Sequence, residues 1–295
     1  MMAAMATTTK STRKKSARAS KASKATKTVK KSATKPSVKA VLTPLQRVRS
    51  LHVSLSVMYA VFAGVVLGFV ATASSAVTLT IHARDEFASD VDVVLGPASE
   101  VLYNIEPKYL LAAALLISSL GSLLLATKLR DRYESTLKAG ISGFRWVILG
   151  LSAALTLQFV GLLAGVQDIV LLKLSGVLIL VTTLLAWIAE RDNAGSTRSK
   201  WLAYDFSLFT GVLAWLPIIG SLAGTSLYGM ERFGWHVYAL AAVALLGFSA
   251  FAFNQYLQIR ARGTKKDYFA VEESYLRIDM LAKFAVVLIA LLALK

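Results

Sequence analysis

The sequence predicts an all-α membrane protein with seven transmembrane helices, a cytoplasmic N-terminus and an extracellular C-terminus. Three observations predict it. The 295-residue chain is 56% hydrophobic with a mean hydropathy of +0.59, too apolar for a soluble domain. Seven continuously apolar runs recur, near 52–80, 108–127, 143–166, 169–189, 203–226, 235–257 and 275–294. About 20 such residues cross a bilayer as a helix, and runs without alternation exclude a barrel. The connections are also asymmetric in charge. Those after the second, fourth and sixth runs carry Lys128, Arg130, Arg132 and Lys138, then Arg191, Arg198 and Lys200, then Arg260, Arg262, Lys265 and Lys266. The connection after the first run instead gathers Asp85, Glu86, Asp90, Asp92, Glu100 and Glu106. Basic connections stay in the cytoplasm, which sets the orientation.

Two segments follow from composition: a basic tail over 1–45 and a membrane domain over 46–295. The first 49 residues hold fourteen Lys or Arg and no acid, set among Ser, Thr and Ala. Such a stretch cannot bury a core and is expected to be disordered. Its preferred partner is anionic lipid on the cytoplasmic leaflet, at about 1 kcal/mol per well-placed charge. A targeting segment is a second reading; nucleic acid, which similar basic tails bind, is the least expected partner.

Along the membrane domain, each connection has its own signal. The 81–107 connection contains the alternating stretches Val77–His82 and Asp90–Leu95, which permit a short β-ribbon. Asp168 is placed to cap the fourth helix. Arg145 begins the third run and is expected to snorkel to the cytoplasmic interface. Glu190, beside Arg191 and Asp192, reads as part of an interfacial pair at the same end. Gly64/Gly68, Gly161/Gly165 and Gly220/Gly224 are spaced for close helix approach, within the chain by default. The chain has no cysteine, and His52, His82 and His236 lie near the ends of runs, so no metal cluster is expected. No phosphate-binding glycine loop or nucleophile–base pair occurs, so the protein is not expected to be an enzyme.

The last run holds the residue that chemistry must explain. Lys283 stands among Met280 to Leu292, and a charge at mid-bilayer costs about 2.5–3.5 kcal/mol on insertion scales. Asp279 lies four residues earlier, on the same helix face. Two readings stay open: a structural ion pair, or a desolvated amine that forms a Schiff base with a carbonyl ligand.

Several stretches, in order, resemble the heliorhodopsins. They are Arg132-Tyr133-Glu134, Gly143-Phe144-Arg145-Trp146-Val147, Leu151-Ser152-Ala153, Leu163 to Ile169, Glu190-Arg191, Asn254 to Gln258, Asp267-Tyr268, Glu273-Ser274-Tyr275 and Ala282-Lys283. The resemblance covers most of residues 45–294. It implies the same inverted topology, all-trans retinal on Lys283, photoisomerisation and a conformational signal to an unknown cytoplasmic partner. It also implies a homodimer helped by an extracellular β-ribbon. The implied retinal pocket takes in Ile148, Ser152, Leu155, Gln158, Trp215, Phe248 and Phe251, and the other aromatic candidates for its wall are Trp146 and Trp187.

The departures are specific. The family's third-span counterion glutamate is Ile148 here, and its two intramembrane histidines correspond to Ser56 and Ser122, a polar pocket without imidazoles. Asp279 stands where the family has a small hydroxyl residue, at the i−4 spacing that ordinary microbial rhodopsins give an aspartate. A nearby carboxylate stabilises a charged imine, so the spacing marks Asp279 as a relocated counterion. The leading expectation is therefore a light receptor. A light-gated ion or proton conductance through Asp279, Gln158 and the serines is the alternative, and a seven-helix scaffold without chromophore is the second.

Overall fold

The computed structural model describes residues 42–69, 77–88, 93–229, 232–261 and 268–293. The basic stretch 1–41, Asp90 to Asp92 and Lys295 lie outside the described residues. In chain order the elements are α1 (Pro44–Phe69), β1 (Val77–Ala88), β2 (Val93–Ile105), α2 (Pro107–Ala126), α3 (Arg130–Lys138), α4 (Gly143–Leu163), α5 (Ile169–Asn193), α6 (Leu202–Tyr228), α7 (Trp235–Arg260) and α8 (Tyr268–Ala293).

Among the described residues, six helices (α1, α2 and α4 to α7) are long and apolar enough to cross a membrane. The fold is that of an integral membrane protein. At 26 residues α8 is as long as α1 and α7, and it differs because Arg277, Asp279 and Lys283 interrupt its apolar run. Large apolar side chains face outward, Val57, Val61, Val212 and Leu246 among them, while Ser56, Ser119, Ser152 and Gln158 are buried. This inside-out pattern suits a hydrocarbon solvent, where polar groups must find partners within the protein.

The first apolar run does not form one span. Its helix ends at Phe69, and the alternating, β-branched Val77-Thr78-Leu79-Thr80 instead begins β1. β1 pairs antiparallel with β2 from Val77↔Ile105 to Ala88↔Val93, with an irregularity between Leu79 and Thr80. At that irregularity the Thr80 N–H donates to the Gln167 carbonyl at 3.0 Å, fastening the ribbon to the turn between α4 and α5.

That turn is built from local signals. Gly165, at φ 84°, follows the last turn of α4. The Val166 N–H reaches the Gly161 carbonyl at 2.8 Å and the Gly165 N–H reaches Leu162 at 3.1 Å, the paired bonds of a Schellman ending. Asp168 then accepts from the Leu171 N–H at 2.8 Å and caps α5.

The helices close into a ring in the order α1, α2, α4, α5, α6, α7, α8 and back to α1, and α6 against α7 is the thinnest seam. Short α3 lies outside the ring beside α2 and α8. Of the three Gly-x-x-x-Gly pairs only Gly161/Gly165 has close neighbours: Gly64/Gly68 and Gly220/Gly224 meet nothing within 4 Å. The intimate approach beside Lys283 comes from Gly247, where an added Cβ would lie 2.9 Å from that of Ala282.

Candidate functional site

Lys283 projects from α8 into the ring and is buried. Its Nζ donates to Asp279 Oδ1 and stands 5.0 Å from the centroid of the Tyr59 ring. The other carboxylate oxygen, Oδ2, accepts from the Tyr59 hydroxyl at 2.7 Å. Tyr59 comes from α1 and is fully buried, so both ends of the carboxylate are held. The four-residue spacing in α8 brings lysine and aspartate together, and the contact between α1 and α8 adds the tyrosine.

The pair borders two cavities. The larger, about 250 Å³, runs from Lys283 past Ser152 and Thr156 of α4 to Trp215 of α6 and Phe248 and Phe251 of α7. Trp215 and Phe248 meet edge to face at 5.6 Å, fixing two of its walls. The smaller, about 30 Å³, lies toward α1 and α2 and is bordered by His52, Ser118, Ser122, Arg145 and Ile148. Among the described residues no group of three or more His, Asp or Glu could hold a metal ion.

The sequence-predicted positions divide accordingly. Ser152, Trp215, Phe248 and Phe251 line the larger cavity, and so does Trp146. Ile148 and Ser122 line the smaller one. Leu155 and Gln158 line neither. At about 100° per residue, Gln158 is turned about 120° from Ser152 on the same helix. It faces α5, accepts from Lys173 Nζ at 3.0 Å and packs against Gly176. Ser56 bonds across to α2, where the Ser119 hydroxyl donates to its carbonyl at 2.8 Å.

A second charged centre lies beyond the small cavity. Arg145 does not snorkel: it is 6% exposed and grips two buried carboxylates. Its Nη2 reaches Glu190 Oε1 at 2.7 Å, and its Nη1 donates to Glu272 Oε2. Glu190 also accepts from Trp146 Nε1 at 2.8 Å, Gln258 Nε2 at 2.9 Å, the Tyr268 hydroxyl at 2.7 Å and the Ser142 N–H at 3.1 Å. Glu190 is thus no interfacial partner of Arg191. Glu272 accepts from the Tyr133 hydroxyl at 2.7 Å and from Ser142 Oγ at 2.9 Å. The guanidinium stacks 4.0 Å from the Tyr275 ring centroid and 4.8 Å from that of Trp146. Burial pushes the phenol of Tyr133, on the short α3, above its ordinary range, so it remains a neutral donor.

Sequence reasoning missed Tyr59, His52, Tyr133 and Glu272. An aromatic residue in an apolar run gives no polar signal, and charges near the ends of runs are exposed by default. The one available hint for Glu272 was its place one helical turn before Leu276 on the inward face of α8.

A protein-family model described as Heliorhodopsin matches residues 48–293. Among solved structures, the transmembrane domain of Salpingoeca rosetta rhodopsin phosphodiesterase is similar, at TM-score 0.57 and 14% identity, over 83% of this chain and 82% of that one. The transmembrane domain with linker region of the same protein is similar at TM-score 0.56 and 14% identity, over 83% and 78%. At such identity the likeness shows the fold. No curated protein matches.

Proposed function

The chain belongs to the heliorhodopsin family, and on that premise we propose that it senses light through all-trans retinal carried on Lys283 Nζ, with Asp279 as counterion. The observation that carries this reading is a buried primary amine at the end of an apolar, aromatic-walled cavity, with a carboxylate one turn away. These residues fit the group. An amine is what a carbonyl ligand condenses with, and the walls suit a polyene. When bound as the imine of Lys283, retinal supplies visible absorption and a light-driven isomerisation. The chain's own residues do the rest. Lys283 Nζ holds a proton, and Asp279 Oδ1 offsets its charge. Tyr59 orients that carboxylate from the opposite side. Trp215, Phe248 and Phe251 wall the cavity, excluding water.

The same reading takes α8 as a seventh span and places the Arg145 end of the ring in the cytoplasm, beside a tail that meets anionic lipid. A signalling partner would then dock at that end, and the ribbon would stand outside, where a second copy could pair with it.

The test is an absorption spectrum after adding all-trans retinal to the purified chain. The wild type is expected to show a visible band, and Lys283→Ala to show none while keeping its helical circular dichroism. A band retained by Lys283→Ala overturns the attachment; a near-ultraviolet band in the wild type means an unprotonated imine, and no retinal band at all means a scaffold.

A further inference from the structure

His52 lies in α1, one turn before Ser56, and is 3% exposed. Its Nε2 is 2.9 Å from the Tyr133 hydroxyl oxygen. The hydrogen of that hydroxyl is already committed, donated to Glu272 Oε1 at 2.7 Å. Nε2 must therefore carry the imidazole hydrogen and donate it to Tyr133. A neutral imidazole has one N–H, so Nδ1 is left with a bare lone pair. That atom is buried and makes no hydrogen bond within the protein.

The residue borders the small cavity of about 30 Å³ together with Ser118, Arg145, Asp279 and Lys283. Ser118 Oγ and Arg145 Nε are likewise buried without a protein partner. Three unsatisfied polar atoms around a space of this size are the setting in which one or two ordered waters belong.

We propose that His52 is an internal proton acceptor: across this water-sized cavity, its Nδ1 receives the proton that Lys283 Nζ releases. The inference rests on the proposed attachment at Lys283. One proton moves. Its bond to Lys283 Nζ breaks, a bond to His52 Nδ1 forms, and an intervening water gives one proton and takes one back. The imidazolium then keeps Nε2–H on Tyr133 and, through it, the negative charge of Glu272. Two carboxylates are occupied: Glu190 and Glu272 are bonded to Arg145 and further donors. Asp279, which accepts from Lys283 Nζ at Oδ1 and from Tyr59 at Oδ2, is the one competing acceptor in direct contact, and the infrared measurement below separates it from His52. The charged and titratable groups facing His52 are Tyr133 from α3, Arg145 from α4, and Tyr275, Asp279, Lys283 and, through Tyr133, Glu272 from α8.

Two measurements on the full chain test this. The first is nitrogen-15 NMR of labelled histidine in the retinal-free protein, where only His82 and His236 also contribute. A signal lost in His52→Asn should report a neutral ring with hydrogen on Nε2 at pH 7; hydrogen on Nδ1 overturns the proposal. The second is time-resolved infrared spectroscopy of the retinal-loaded protein. Imidazolium ring bands should rise as the visible band is lost, and His52→Asn should slow that loss by about 100-fold. A protonated carboxyl band from Asp279 in place of imidazolium, or an unchanged rate in His52→Asn, overturns it. The infrared arm on the wild type decides the matter even if the variant fails to fold. A wild type with no retinal band at any wavelength removes the proposed function, and the NMR arm alone then decides the assignment of His52.

Discussion

The two buried charged centres differ in how fully they are satisfied. Arg145, Glu190 and Glu272 are bonded by Ser142, Trp146, Gln258, Tyr268 and Tyr133, contributed by five segments of the chain. Asp279 and Lys283 have each other and Tyr59, and face open space on two sides. A densely bonded cluster resists any change of charge, because each oxygen of its two carboxylates already has a donor. A sparsely bonded pair beside cavities is free to exchange a partner. The contrast separates the part of the molecule that holds shape from the part to which we assign the chemistry.

Substitution at the sparse pair should give the largest effect. Asp279→Asn keeps the volume and removes the charge that favours the protonated imine, a change on the scale of several pH units for a buried cation. The visible band should move to the near ultraviolet at pH 7 and return on acidification. Ile148→Glu in that background should restore colour, since Ile148 borders the same small cavity. A visible Asp279→Asn pigment that ignores chloride would sink the counterion assignment.

The densely bonded cluster should respond in stability instead. Arg145→Gln strands two buried carboxylates and should cost about 3–5 kcal/mol, read as a lower thermal midpoint. Pigment that does fold should keep its colour. A large spectral shift without a stability loss would erase the distinction between the centres.

Tyr59→Phe is the smallest and sharpest test. It removes one hydrogen bond to a carboxylate, worth about 1.5–3 kcal/mol. Without the hydroxyl, Asp279 Oδ2 loses its donor and more of the carboxylate's charge falls on its lysine partner. The visible band should move slightly to shorter wavelength in the absorption spectrum. No movement would mean that Tyr59 serves packing alone.

What the chain made legible follows the range of each interaction. Apolar continuity located the long helices, and i,i+4 spacing paired Asp279 with Lys283. The Gly165 ending and Asp168 cap are written within a few residues of each other. The limit of the first run was hidden, because Val77 to Thr80 is as apolar as a span although it pairs as a strand with Val101 to Ile105. The Arg145 cluster was hidden for a different reason. Its partners are 45 and 127 positions away, and each charge considered singly looks like an interfacial one. Leu155 and Gln158 line neither cavity, a placement the sequence hides because a run apolar on every side gives no phase to the helix, so the face toward the cavity cannot be told from the face toward α5.

The Arg145–Glu190 bond also bears on how the chain is assembled. It joins α4 to α5, consecutive helices linked by the tight Gly165–Asp168 turn. The hairpin can therefore enter the bilayer as a unit with its two charges already neutralised, avoiding the cost of inserting either alone. Glu272 comes with α8, which follows the other described helices in the chain, and brings the surplus negative charge. In N-to-C order of synthesis, its burial therefore waits for the helix that closes the ring against α1.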